Sequence, residues 1–241
     1  MIDVEKYIKD QIAIFQANEA LENREQQPGR GKEGDLFYGP YLTVSREKGA
    51  GGNAVAKLVG RRLGWQVFDN EIVDEIAKKA HIRRQLIESL DERDQAMIQD
   101  MIGQLMNLQE IGTSGYLDYL KQVVLTLGHQ GDVVIVGHAA RFILPALFGL
   151  SVRMVAPIEV RTRRIADKAR LSLKAARVEI ERIDRERVKS VRRHFGHDVT
   201  DPLSHDLIIN TAALSVEAAA EVVVTALQRK LGVRVKESGR K

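Results

Sequence analysis

Apolar positions along this chain recur with two spacings, and the switches between them mark out its elements. Val4, Ile8, Ile12 and Phe15 fall at helical spacing and predict a short helix over residues 4–22. The stretch 25–35, with QQPGRGKEG inside it, is polar and rich in breakers and reads as a linker. An organised domain is then expected from about residue 38. YLTVS at 41–45 is a short β-branched strand, followed by a glycine-rich turn and a helix over 54–63 with Val55, Leu58, Val59 and Leu63 on one face. Gly64 is a good helix stop, and 65–68 is a second short strand.

Downstream, Ile72, Val73, Ile76 and Ala80 line a further helix, and 83–128 is mostly helical and amphipathic, interrupted near IGTSG at 111–115. DVVIV at 132–136 is continuously apolar, as a buried strand would be, and 152–156 is a fourth strand. A charged helical stretch covers 158–194, broken once near Ser172. LIIN at 207–210 is a fifth strand and 216–231 the closing helix. Strands alternating with helices imply right-handed crossovers and a parallel sheet.

Composition adds three constraints. Hydrophobic residues are 44% but aromatics only 5%, so the core is aliphatic. No cysteine occurs, which excludes disulfides and Cys-based zinc sites and suits a reducing cytoplasm. The N-terminus has the charge pattern of neither a signal peptide nor a membrane span, so no membrane role is expected.

Net charge is +4, yet it is unevenly placed. From Arg161 to Arg193 there are thirteen Lys and Arg against five Asp and Glu, a local +8 that leaves −4 for the rest. Such a concentration suits a polyanion, either nucleotide phosphate or nucleic acid, although a solvated helix face has the same composition. Aromatic residues are absent from this segment until Phe195, which disfavours stacking on single strands and leaves nucleic acid only a salt-sensitive phosphate contact.

The most informative chemistry follows the first strand. REKGAGGN, between a strand and a helix, aims several backbone N–H groups at one point, where the helix N-terminus adds partial positive charge. Ser45, Lys48, Gly49, Ala50, Gly51, Gly52 and Asn53 are the candidate phosphate-binding residues. A tight structural turn would use the same glycines. The pattern departs from GxxxxGK[ST]: Gly52 stands where the lysine would be and Asn53 where the hydroxyl would be, leaving Arg46 and Lys48 as nearby cations.

Four segments in order, SREKGAGG, FDNEIVDEIAKKA, VVIVGHAARFIL and DRERVKSVRRHFGHDVTDPLSHDLIINT, resemble the successive motifs of the cytidylate-kinase-like family, over roughly 41–227. Members of that family also replace the lysine motif with a SRE-type glycine loop. The resemblance implies an α/β P-loop nucleotide-kinase-like three-layer fold with a five-stranded parallel sheet and an Arg-rich helical lid. It divides the chain into an N-terminal helix and linker (1–37), a kinase-like domain (38–232, with 83–128 on the acceptor side and 158–200 as lid) and a tail (233–241). It also implies ATP with Mg²⁺ as donor, a nucleoside monophosphate such as CMP or dCMP as acceptor, and arginines as the neutralising groups.

On that reading Arg46, Arg185 and Arg187 are the catalytic candidates, and Arg161 and Arg164, three apart on one helix face, join the phosphate set. Asp69, His138, Arg141 and Asp184 are the acceptor candidates. Three of them have a plainer reading: Asp69 as a helix N-cap, His138 as a turn residue, and Asp184 as an ion-pair partner of Lys168 or another cation. Arg185, two residues from Arg187, diverges from it on any continuous helix and would then pair with Glu181. His138 stands where related sequences carry arginine. HFGHD at 194–198 reads as a turn, not a metal site, and no protein metal site is expected. A sensor or pseudokinase with little catalysis is the alternative, motivated by Gly52, Asn53 and His138, with the N-terminal helix serving a partner or a homo-oligomer.

Overall fold

In the computed structural model the described residues are 39–88, 90, 94–96, 98, 99, 102 and 115–233. The expected N-terminal helix and linker, the 111–114 interruption and the tail beyond 233 lie outside them. The chain divides into two compact units, one of residue 39 with 70–131, the other of 40–69 with 132–233.

The second unit carries the sheet. Its strands are β1 (Tyr41–Arg46), β2 (Gln66–Phe68), β3 (Val133–Val136), β4 (Gly149–Val155) and β5 (Leu207–Asn210). They are all parallel, in the order β2-β3-β1-β4-β5. β1 is central, with Val44 beside Val136 of β3 and Val152 of β4. Two helices of this unit pack on the apolar face: α1 (Gly52–Leu63) and the closing helix Val216–Leu231. Leu42, Val44, Leu150, Val152 and Met154 form one core with Val55, Val59 and Leu63 of the first helix and Ala220, Val223 and Leu227 of the second. Each such fully buried aliphatic side chain contributes about 1.5–3 kcal/mol.

The other unit is helical among its described residues. It contains α2 (Asn70–Lys78), α3 (Ala80–Glu88) and α4 (Gly115–Gln130). Val73, Ile76, Leu120, Val123, Val124 and Leu127 are buried. Tyr116 donates to Asp74, and the Arg83 guanidinium lies 3.6 Å from the Tyr119 ring centre.

After β4 come α5 (Ile158–Ala169) and α6 (Leu173–Phe195), and α7 is the closing helix Val216–Leu231. The break between α5 and α6 falls where Ser172 accepts from the Ala175 N–H as N-cap. Elements differ from expectation at four starts, one of them β2, which begins at Gln66 and not 65. α1 begins two residues early, because Gly51 in a left-handed conformation caps it. β4 begins at Gly149, not 152, and β3 at Val133. Among the described residues no helix is long and apolar enough to cross a membrane.

Candidate active site

β1 delivers the chain to the sheet's carboxyl edge beside Met154 of β4, and Glu47–Gly51 then turns it into α1. Gly49 (φ 84°) and Gly51 (φ 78°) take left-handed conformations that disfavour a Cβ. The Gly51 carbonyl accepts from Ala54 and Val55. Gly52 and Asn53 therefore occupy the first helical positions, where backbone N–H groups have no intrahelical acceptor. A Cβ on Gly52 would come within 2.8 Å of Arg46 Cβ, so the glycine lets that side chain pass. Around Gly51 the space a Cβ would take is open.

Four guanidinium groups gather about this turn. Arg46 donates from Nε to Asn53 Oδ1 (3.2 Å). Burial, then repulsion by Arg187, lowers its pKa to about 10 against partial support from Asp69. Arg187, on α6, donates to the Arg46 carbonyl (3.2 Å), with Asp184 Oδ1 at 3.7 Å. Its pKa is also lowered, by burial first, with Asp184 opposing and Arg153 adding to the shift. Arg153, on β4, donates to Ser45 Oγ (2.9 Å). Arg161, on α5, is buried: it bonds the Ala156 and Lys48 carbonyls and Asp184 Oδ2 (2.5 Å), with Glu47 Oε2 at 3.3 Å.

Asp184 is the hinge of this arrangement. It takes the Lys48 N–H (2.7 Å) as well as Arg161, joining α6 to the turn and to α5. Its partner is thus Arg161 and not Lys168. The Lys48 ammonium reaches Glu179 at 3.5 Å. Arg164 donates to the Thr211 hydroxyl (2.9 Å) and carbonyl (2.7 Å), and that hydroxyl donates to the Ala50 carbonyl (2.8 Å). Thr211 thereby ties the end of β5 to the glycine turn.

The structure brings together Ser45, Arg46, Lys48, Gly49–Asn53, Arg161, Asp184 and Arg187, with Asp69 acting on Arg46 and Arg164 joined through Thr211. Arg185 is not among them: α6 is continuous, so it diverges from Arg187 and is exposed. Glu181, the partner expected for Arg185, accepts from Arg177 instead (3.0 Å). His138 sits in the turn after β3 with φ 55°, and Arg141 donates to the Ser204 carbonyl (3.1 Å). His197 stacks on Phe142 with ring centres 4.6 Å apart, and His194 Nδ1 lies 3.3 Å from Ser190 Oγ. Among the described residues no cluster of His, Asp and Glu is arranged to hold a metal ion.

Three participants escaped the sequence reading: Arg153, Glu47 and, at the turn, Thr211. Arg153 had a signal, a cation inside the apolar run LSVRMVA. Glu47 had a fainter one, an acid between two cations next to the turn.

A parallel sheet whose central strand runs through a glycine turn into a helix, ringed by guanidinium groups, defines the α/β nucleotide-kinase class. Residues 41–213 match the family model described as the cytidylate kinase-like family. The chain belongs to that family and is a phosphotransferase. It is 27% identical over 190 residues to the cytidylate kinase of Sulfolobus acidocaldarius, covering 78% of this chain and 94% of that one. With the cytidylate kinase of Ignicoccus hospitalis it shares 27% over 185 residues, 76% of this chain and 95% of the other. The crystal structure of an uncharacterized protein from Eubacterium ventriosum superposes with a TM-score of 0.64 at 19% identity, over 78% of this chain and 98% of that one, a likeness of fold.

Proposed function

We propose that this protein transfers the γ-phosphoryl group of ATP to a nucleoside monophosphate, with CMP or dCMP as acceptor. The observation that carries the reading is the convergence of Arg46 and Arg187 on the glycine turn, where Arg187 donates to the Arg46 carbonyl. Phosphoryl transfer asks a protein mainly for positioning and charge neutralisation. Two desolvated guanidinium groups beside unsatisfied helix-start amides provide both.

The residues fit the phosphates of ATP: the turn is open at Gly51, and the Arg46 side chain passes close by Gly52. Magnesium, which is held by few protein oxygens and by phosphate oxygens, would come with the nucleotide, and Asn53 Oδ1, which now accepts from Arg46, is a side-chain oxygen at the start of α1 that could reach it. Bound there, it would neutralise phosphate charge. Of this chain's own groups, Arg46 and Arg187 would hold the transferring group, Gly49–Asn53 the donor phosphates, and Asp184 would keep Arg161 and the turn in place. Asp69, His138 and Arg141 are assigned to the acceptor, 158–200 to a lid and 83–128 to the acceptor side.

The test is incubation with ATP, Mg²⁺ and each nucleoside monophosphate in turn, following ADP by chromatography. Acceptor-dependent ADP with a cytidine monophosphate is expected, and Arg187→Ala should reduce kcat by roughly a hundredfold or more. Nucleotide binding without turnover for any acceptor would sink the kinase reading and favour a sensor.

A further inference from the structure

Arg153 is 7% exposed, in the middle of a strand otherwise made of apolar and small residues. A buried cation is ordinarily paired with a carboxylate, because taking it out of water unpaired is costly. Among the described residues Arg153 has a single hydrogen bond, to the neutral Ser45 hydroxyl, and no ion pair. The nearby acids are committed elsewhere. Glu47 accepts from the Ala156 N–H and Arg161, Asp184 from Lys48 and Arg161, and Asp198 from Thr200.

An arginine carries five N–H donors. No nitrogen of Arg153 is sealed away without a partner, so the donors beyond the Ser45 bond open onto accessible space. That space adjoins the turn, because Ser45 pairs in register with Arg153 and leads directly into Arg46. Arg153 also repels Arg187 and is itself held below its ordinary pKa by burial. Three guanidinium groups, Arg46, Arg153 and Arg187, thus surround one dipeptide, Ser45–Arg46; Glu47, Asp184 and Asp198 act on Arg153 from a distance, but among the described residues none forms an ion pair with it.

We propose that Arg153 is a further phosphate-contact residue of this site, supplying from β4 positive charge that a glycine-loop lysine would otherwise bring. The proposal rests on the phosphotransfer reading but is separable from it, because its test involves no nucleoside and no turnover. The probe is inorganic tripolyphosphate, with binding to the full chain measured by calorimetry and Tm recorded without the anion.

In Arg153→Met the affinity for tripolyphosphate should fall by roughly tenfold or more. The Tm without anion should hold or rise, since an unpaired buried charge has been replaced by an apolar side chain of similar length. Arg153→Lys keeps the charge without the fork and should fall in between, and Arg182→Met, on the exposed face of α6, should bind like the parent. Unchanged affinity in Arg153→Met would overturn the proposal, as would a parent that does not bind tripolyphosphate. If Arg153→Met does not fold, Arg153→Lys decides: weakened binding at an unchanged Tm supports the assignment, and parent-like affinity overturns it. A failed kinase assay, beside tripolyphosphate binding that the parent shows and Arg153→Met loses, would refute the phosphotransfer reading and leave the Arg153 site standing.

Discussion

Arg161 and Arg182 sit on neighbouring helices, and both pair with a carboxylate, yet the two pairs differ in kind. Arg161 is 8% exposed, and its removal from water is offset by Asp184 Oδ2 at 2.5 Å and two carbonyls. Arg182 meets Glu186 at 2.8 Å on an open helix face, where solvent screens the pair. Truncating Asp184 removes the nearer of the two carboxylates on a buried cation, leaving Glu47 alone, and frees the Lys48 N–H. Asp184→Ala should therefore cost about 2–4 kcal/mol in urea unfolding, while Arg182→Ala should cost about 0.5 kcal/mol or less. Equal losses in the two variants would mean that Asp184 is no structural clasp.

At the scale of elements, much was legible and the exceptions have physical causes. β5 and α7 match the expected bounds, because their apolar periods run uninterrupted between clear turn signals. α1 started early because two glycine-turn residues have poor helix propensity, and the cap at Gly51 overrides it. β4 started early because Gly149 carries no hydrophobic signal, yet a Cβ there would sit 1.9 Å from the Tyr41 ring, so the strand needs glycine at that point. The site divides in the same way. The glycine turn and Arg187 are local motifs and could be read, whereas Arg153, marked locally only as a cation in an apolar run, and Thr211 are joined to the turn through strand pairing and crossovers.

The segment between α6 and β5 shows how such non-local bonds hold an element. His205 is buried, with Nε2–H facing the Val199 carbonyl (3.2 Å) and Nδ1 facing the Ser151 hydroxyl (3.2 Å). A carbonyl can only accept, so Nε2 carries a proton, and in the neutral ring Nδ1 accepts from the Ser151 hydroxyl. Burial holds its pKa below the usual histidine value, with Arg153 and Arg141 adding to the shift and the Val199 bond and Asp206 opposing it. The unfolded chain then takes up the proton more readily than the folded one. Stability from this group is complete above the ordinary histidine pKa and is lost as pH falls below it toward the depressed native value. Urea midpoints taken from pH 7.5 down to 5.5 should decline, and His205→Gln should flatten the decline. An unchanged slope in that variant would place the titration elsewhere.

Over the whole molecule the decisive property is where charge lies. The local +8 of Arg161–Arg193 falls on α5 and α6, against −4 over the remaining sequence. Only part of that charge touches the glycine turn: Arg161 and Arg187 do, while Lys174 and Lys189 are exposed on α6. On the proposed kinase reading, the exposed lysines would act at longer range, raising the local concentration of a polyanionic nucleotide before it binds. Such long-range attraction is screened over about 8 Å at physiological ionic strength, whereas contacts made by buried guanidinium groups are screened much less. Raising KCl from 50 to 500 mM should therefore increase the KM for ATP several-fold with kcat changed little. The double variant Lys174→Gln, Lys189→Gln should start with a higher KM at low salt and respond less steeply, converging on the parent at 500 mM. Parallel salt curves for the two proteins would show that α6 gathers no nucleotide, and that the attraction comes from the arginines at the turn alone.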